Sequence, residues 1–276
     1  MSWRMAAMVV VAGAACGQGS ESLSREKEAA LGARLAQEMR QRTKAIKSAV
    51  VSGYVEKLGR KLAAQFPEAE RGYQFAVIAD KVGGRTHEAV WFPGGYIFVP
   101  AGLILAAEDE AELAGMLAHA MAHVAEHHLA TIPSSGNVTS IPLIFMGGWS
   151  DKAGAEVALP VAVLKSYRIF ELEADQRAVS LVAGAGYDPE GLRRYVGRLQ
   201  TAVSDREAMY SRLPPREVRM AGLEEAIGKL PAKDSYSMGG AEFQRTQEEV
   251  RTLTAVREAA RERPEPPTLR RRDGPK

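Results

Sequence analysis

Apolar residues recur every three or four positions along most of this chain, and the period shortens to two only between residues 73 and 99. The longer period marks amphipathic helices, the shorter one strands with two unlike faces. Ala30, Leu31, Leu35 and Met39 predict a first helix over 24–43. Val51, Tyr54, Val55, Leu58 and Leu62 predict a second over 46–65, with Pro67 beyond its end. Tyr73, Phe75 and Val77 then alternate with Gln74 and Ala76 as in a strand. Gly83-Gly84 interrupts, and 89–92 and 96–99 read as two further strands around Pro93-Gly94-Gly95. Asp109, with Glu112 three residues later, has the pattern of a capping box. It opens a helix expected over 110–129 whose stripe of Leu113, Met116, Leu117, Met121 and Val124 faces the core. Further helices are predicted over 160–183, stopped by Gly184 and Gly186, and over 190–203, 216–229 and 241–261. A small sheet among many helices places the chain in the α+β class, mainly α-helical.

The remaining stretches suggest how the chain is divided. Residues 131–159 are rich in Gly, Pro and Ser around an apolar 141–146, a composition that suits either a lid or a loosely packed surface excursion. Pro264, Pro266 and Pro267, followed by Arg270-Arg271-Arg272, mark 263–276 as a disordered tail. At the other end, Arg4 precedes an apolar run over 5–11 and the only cysteine, Cys16. That run is too short to span a membrane but suits a secretory signal. Gly13-Ala14-Ala15-Cys16 resembles a bacterial lipobox, which would make Cys16 the lipidated anchor; cleavage within 12–14 without lipidation is the alternative. The expected organisation is a signal segment over 1–16, a principal domain over 24–230, a helical extension over 231–262 and the tail. With 276 residues, 46% hydrophobic, the chain can bury a core of its own. A formal charge of +2 and the lack of a basic stripe interleaved with aromatics argue against a nucleic-acid partner. One cysteine leaves no internal disulfide.

The chemistry concentrates in Leu117-Ala118-His119-Ala120-Met121-Ala122-His123. At about 100° per residue, His119 and His123 stand on one helix face a turn apart. That spacing suits one metal ion, with zinc the natural candidate. In the zinc-peptidase motif H-E-x-x-H, the glutamate after the first histidine is the general base. Here that position is Ala120, whose methyl group can neither accept a proton nor hold a water. An H-x-x-x-H pair alone is a weak signal. A later helix adds Glu171-Leu172-Glu173-Ala174-Asp175, within Tyr167-Arg168-Ile169-Phe170-Glu171 and before Gly186-Tyr187-Asp188-Pro189.

Together these segments resemble the gluzincin zinc metallopeptidases that include HtpX, the CAAX prenyl proteases and the periplasmic BepA-like proteins. In that family the H-E-x-x-H helix is followed by an E-x-x-x-D helix, written S-R-x-x-E-x-E-A-D and ending in G-Y-D-P. The resemblance extends to Pro93-Gly94-Gly95-Tyr96-Ile97-Phe98-Val99 and Ala111-Glu112-Leu113-Ala114, and spans about residues 24–230. It implies a zincin-like domain with the sheet at the cleft edge. His119, His123 and Glu171 would hold one Zn2+, with Asp175 orienting a ligand histidine by accepting its other N–H and Arg168 in the surrounding shell. Tyr96, Ile97, Phe98 and Val99 would form the strand to which an extended substrate adds. His127 lies a turn further on but drifts off the face, and His128 and His87 are read as surface residues.

The implied reaction is endoproteolysis, in which zinc polarises the scissile carbonyl and the glutamate deprotonates the attacking water. Other departures accompany Ala120. Leu213 stands where the family often has histidine before proline, and Glu88-Ala89-Val90-Trp91-Phe92 differs from the usual approach to Pro93. Several altered cleft positions favour divergence towards a pseudopeptidase over a single exchange. The expected function is that of a metalloendopeptidase-family protein of the bacterial periplasm or its membrane face. It would act on extended or unfolded polypeptides in protein quality control, with hydrolysis strongly impaired. The alternative is a zinc-binding pseudopeptidase acting as a peptide-binding chaperone or adaptor. A purely structural zinc site fits less well, because two histidines and one carboxylate leave a coordination position open.

Overall fold

A computed structural model describes residues 24–67, 72–79, 87–131, 161–200 and 213–262. The signal segment with Cys16, the tail, and the 131–159 stretch beyond Thr131 lie outside the described residues. Helix α1 (Arg25–Arg42) leads into the two-residue strand β1 (Lys44–Ala45) and helix α2 (Ala49–Ala63). Strands β2 (Gln74–Ala79), β3 (Val90–Phe92) and β4 (Tyr96–Pro100) follow, then the short helix α3 (Ala101–Ala106) and the central helix α4 (Glu110–Ala125). The C-terminal half supplies α5 (Val161–Gly184), α6 (Glu190–Leu199), α7 (Arg216–Gly228) and α8 (Ala241–Glu262). The mainly helical α+β class is the one the periodicity predicts. β1 and α3 were not expected: two residues are too few to show a period, and α3 continues the unbroken apolar run that ends β4.

Helix α4 runs through the middle of the molecule, packed against α2, β3, α5 and α6. Every residue from Ala111 to His123 is buried, so the helix has no solvent face. The predicted single stripe was too narrow a description; alanines at 111, 114, 118, 120 and 122 let neighbours approach all round it. Asp109 caps the helix by accepting from Glu112 N at 2.9 Å, while the buried Glu112 carboxylate accepts from Glu108 N at 2.8 Å. Helix α8 joins the same core rather than standing apart, burying Phe243 and Val250 against α2 and α3.

The sheet has the order β1-β2-β4-β3, with β4 parallel to β2 and antiparallel to β3. Gly94 and Gly95 turn the chain between β3 and β4 at φ 78° and 88°, the left-handed region open to glycine. Helix α1 lies so close to this turn that a Cβ at Gly32 would meet the Pro93 carbonyl oxygen. This topology corrects the expectation for Tyr96, Ile97, Phe98 and Val99. β4 is an inner strand, hydrogen-bonded on both sides, with Ile97, Phe98 and Val99 buried. Tyr96, Ile97 and Phe98 face paired strands on both sides, so this part of β4 cannot take on a further strand. Among the described residues, the edge strands are β1 and β3, and β3 is the one next to β4.

Helix α4 ends four residues earlier than predicted. His127 N–H bonds the Val124 carbonyl at 3.1 Å and His128 N–H bonds the His123 carbonyl at 3.2 Å, the paired closure of a Schellman motif. The left-handed residue in this closure, normally glycine, is His127 at φ 52°. Its ring Nδ1 lies 2.8 Å from the buried carboxylate of Glu28 on α1, which holds the turn in place. The corresponding stop of α5 uses Gly186 at φ 85° and was visible in the sequence for that reason.

Candidate metal centre

Two helices bring the ligating atoms together. His119 and His123 project from consecutive turns of α4, and Glu171 reaches them from α5, which packs along α4. The two Nε2 atoms are 3.1 Å apart; Glu171 Oε2 lies 3.3 Å from His119 Nε2, and Glu171 Oε1 lies 3.6 Å from His123 Nε2. Ligands about a tetrahedral zinc ion stand roughly 3.3 Å from one another. The three side chains therefore fit one metal ion, and they are the only such group among the described residues. Ala120, between the two histidines in sequence, is 1% exposed and offers no polar atom.

The surroundings hold each ligand in place. Asp175, one turn beyond Glu171, places Oδ1 2.9 Å from His119 Nδ1, within hydrogen-bond distance though with the N–H imperfectly aligned. The opposite ends of the Asp175 carboxylate accept from Arg219 Nε and Nη2, each at 2.7 Å, in a buried bidentate pair. Trp91 of β3 stacks on the His123 ring, with centroids 4.6 Å apart and planes 10° from parallel. Strand β3 thus borders the site as well as forming one edge of the sheet.

Some expected residues fall elsewhere. Arg168 is half-buried one turn before Glu171, and the arginine that bonds Asp175 is Arg219. His128 was expected on the surface but is 2% exposed, because the turn after α4 folds it back beneath His123. His87 is half-buried, with its carbonyl accepting from Tyr195 Oη at 2.6 Å. His127 takes no part in the cluster, as expected, but because it lies in the left-handed turn beyond α4 with its ring against Glu28 rather than because of drift around the helix. Arg219 carried a sequence signal that went unused. It lies four residues before the buried Leu223, so a charge sits on the inner face of its helix. Such a residue calls for a buried partner.

Charge in the cluster is strongly biased. Burial disfavours a charged His119, but hydrogen bonding and attraction from Asp175 and Glu171 win and push its pKa up to about 9. Burial holds His123 well below the usual histidine range despite Glu171, with His119 and His128 adding to the effect. Burial alone would raise Glu171 and Asp175; the histidines and Arg219 hold both below their usual values. Without metal, a proton on His119 relieves what would otherwise be two lone pairs facing each other at 3.1 Å.

This bias predicts a pH profile. The raised pKa of His119 contributes stability that is complete below about pH 6.5 and is lost as pH rises through about 9. Glu171 and Asp175 act in the opposite sense, contributing above their unfolded-state values near 4.5 and 3.8 and losing that contribution on acidification. His123 and His128, whose pKa values burial lowers, must be charged on acidification and so weaken the fold below about pH 6.5. The metal-free protein is therefore expected to melt highest near roughly pH 6.5 and to weaken towards pH 9. Replacing His119 with Gln should flatten the alkaline limb, as thermal melts in chelator would record; an unchanged limb would count against the assignment.

Comparison with known proteins bears on the same residues. The model of peptidase family M48 matches residues 49–227, well over half of the chain and including all three side chains that could hold a metal ion. The chain belongs to peptidase family M48. Its M48 region is similar to the putative beta-barrel assembly-enhancing protease of Vibrio cholerae, 28% identical over 183 residues, covering 62% of this chain and 36% of that protein. The beta-barrel assembly-enhancing protease of Escherichia coli is 22% identical over 209 residues, covering 70% and 41%. The mitochondrial metalloendopeptidase OMA1 of Schizosaccharomyces pombe is 28% identical over 192 residues, covering 67% and 55%. The match spans about two fifths of the length of the bacterial relatives. No helix among the described residues is long and apolar enough to cross a membrane.

Proposed function

We propose that this M48 protein binds one zinc ion through His119, His123 and Glu171 and works in the bacterial envelope on extended or unfolded polypeptides, with peptide-bond hydrolysis strongly impaired. The observation that carries this reading is the convergence of three ligating atoms beside a position, 120, that holds alanine. When bound, zinc supplies Lewis-acid polarisation of a carbonyl. The chain's own contribution is positional. Asp175 and Arg219 orient His119, Trp91 fixes the plane of His123, and β3 offers backbone hydrogen bonds to an extended segment. Nothing at 120 can take a proton from water. Support for the envelope comes from the relatives named as beta-barrel assembly-enhancing proteases and from the signal-like 1–16 segment, where Cys16 would carry a lipid anchor. Ala120 and Leu213 together favour a second reading, a pseudopeptidase that holds peptides without cutting them.

The test is zinc titration of the purified chain alongside binding of fluorescently labelled unfolded casein. One zinc per chain, lost in His123→Ala, with saturable casein binding and hydrolysis at the limit of detection, is expected. Zinc uptake that survives His123→Ala would overturn the metal assignment, and no casein binding would remove the polypeptide partner.

A further inference from the structure

The two candidate ligand histidines are supported differently. His119 has a carboxylate on its Nδ1 side; His123 has another imidazole. His128 Nδ1 lies 2.9 Å from His123 Nδ1, and His128 Nε2 lies 3.1 Å from Glu173 Oε2. We propose that His128 and Glu173 form a positioning arm that fixes the tautomer and ring orientation of His123 for metal binding, an inference that rests on the metal site proposed above.

Two Nδ1 atoms at 2.9 Å share one proton, so one ring donates and the other accepts. If His123 accepted, its own proton would sit on Nε2, the atom that faces His119 and Glu171, and would occupy the lone pair a metal needs. Glu173 decides the direction. Its carboxylate is an acceptor, so it favours the proton on His128 Nε2, which leaves His128 Nδ1 as a lone pair. His123 Nδ1 must then donate, and His123 Nε2 is left open towards the site. The chain of bonds runs from His123 through His128 to Glu173, with each ring keeping one proton.

The rings are also held in plane. Phe170 stacks on His128 with centroids 4.5 Å apart and planes 17° from parallel, as Trp91 does on His123. The backbone that carries His128 is the Schellman turn after α4, where His127 takes a left-handed conformation and bonds Glu28. A regular helix would have carried His128 away from His123, since residues five apart point to different faces. The strain of a non-glycine left-handed residue is thus borne where it brings the second imidazole into reach.

Zinc and cobalt affinities by chelator competition, with the cobalt absorption spectrum, would test this in the full chain. His128→Phe keeps an aromatic ring against Phe170 but removes both nitrogens. It is expected to weaken zinc binding about 10–100-fold and to alter the cobalt spectrum. His128→Asn, whose side-chain oxygen can stand in for Nδ1, should recover part of the loss. Glu173→Ala, at a half-exposed position that folding tolerates, should weaken binding in the same direction by a smaller factor. Unchanged affinity and spectrum in both His128→Phe and Glu173→Ala would overturn the arm. His123→Ala is the control: if it leaves zinc binding intact, the metal site itself has failed, and if it abolishes binding while His128→Phe has no effect, only the arm has failed.

Discussion

Ala120→Glu is expected to raise the rate of casein cleavage by about 10²–10⁴-fold over the chain with alanine, the usual contribution of a general base. The candidate metal ligands are untouched by this exchange, so zinc affinity should stay close to that of the parent and any change in rate reports on the proton acceptor. Position 120 is almost fully buried, and a glutamate there must find room and a partner for its charge. The variant's melting temperature therefore belongs beside its activity. Gain of cleavage in a folded, zinc-loaded variant would show that the rest of the cleft is still competent. No gain in such a variant would place the loss in the wider cleft, with Leu213 the first position to restore as histidine.

Arg219→Ala should be the most damaging single change to stability, at about 3–5 kcal/mol, because it leaves the Asp175 carboxylate buried without its bidentate partner. For a domain of this size that corresponds to a fall in melting temperature of very roughly 6–20 °C. Combining it with Asp175→Asn should give back part of the loss, since the uncompensated charge is then gone. Chemical denaturation of the two single variants and the double variant would measure the coupling. Equal and additive losses would mean that Arg219 acts through packing alone. The same cycle read by zinc affinity would separate support of the fold from orientation of His119.

Much of the architecture was legible because it rests on local chemistry. The end of the two-residue period at 99, the cap at Asp109 and the stop at Gly186 each depend on residues a few positions apart. The end of α4 was not legible, because its left-handed residue is His127 rather than glycine and its stabilising partner, Glu28, lies 99 residues away. The same turn folds His128 back beneath His123, which is why it is buried rather than at the surface as expected.

The sequence by itself pointed to His119 and His123 and, through the family resemblance, to Glu171 as candidate ligands, and it showed the alanine between the histidines and the match of both segments to one metallopeptidase pattern. Spacing along a helix specifies which side chains share a face, and that information is local. Only the tertiary structure decided that β3, rather than β4, is an edge strand beside the site, that Arg219 is the partner of Asp175, and that His128 lies behind His123. Strand order, buried charge pairing and the direction of a shared proton all depend on groups distant in sequence meeting in space. A linear pattern does not encode those meetings.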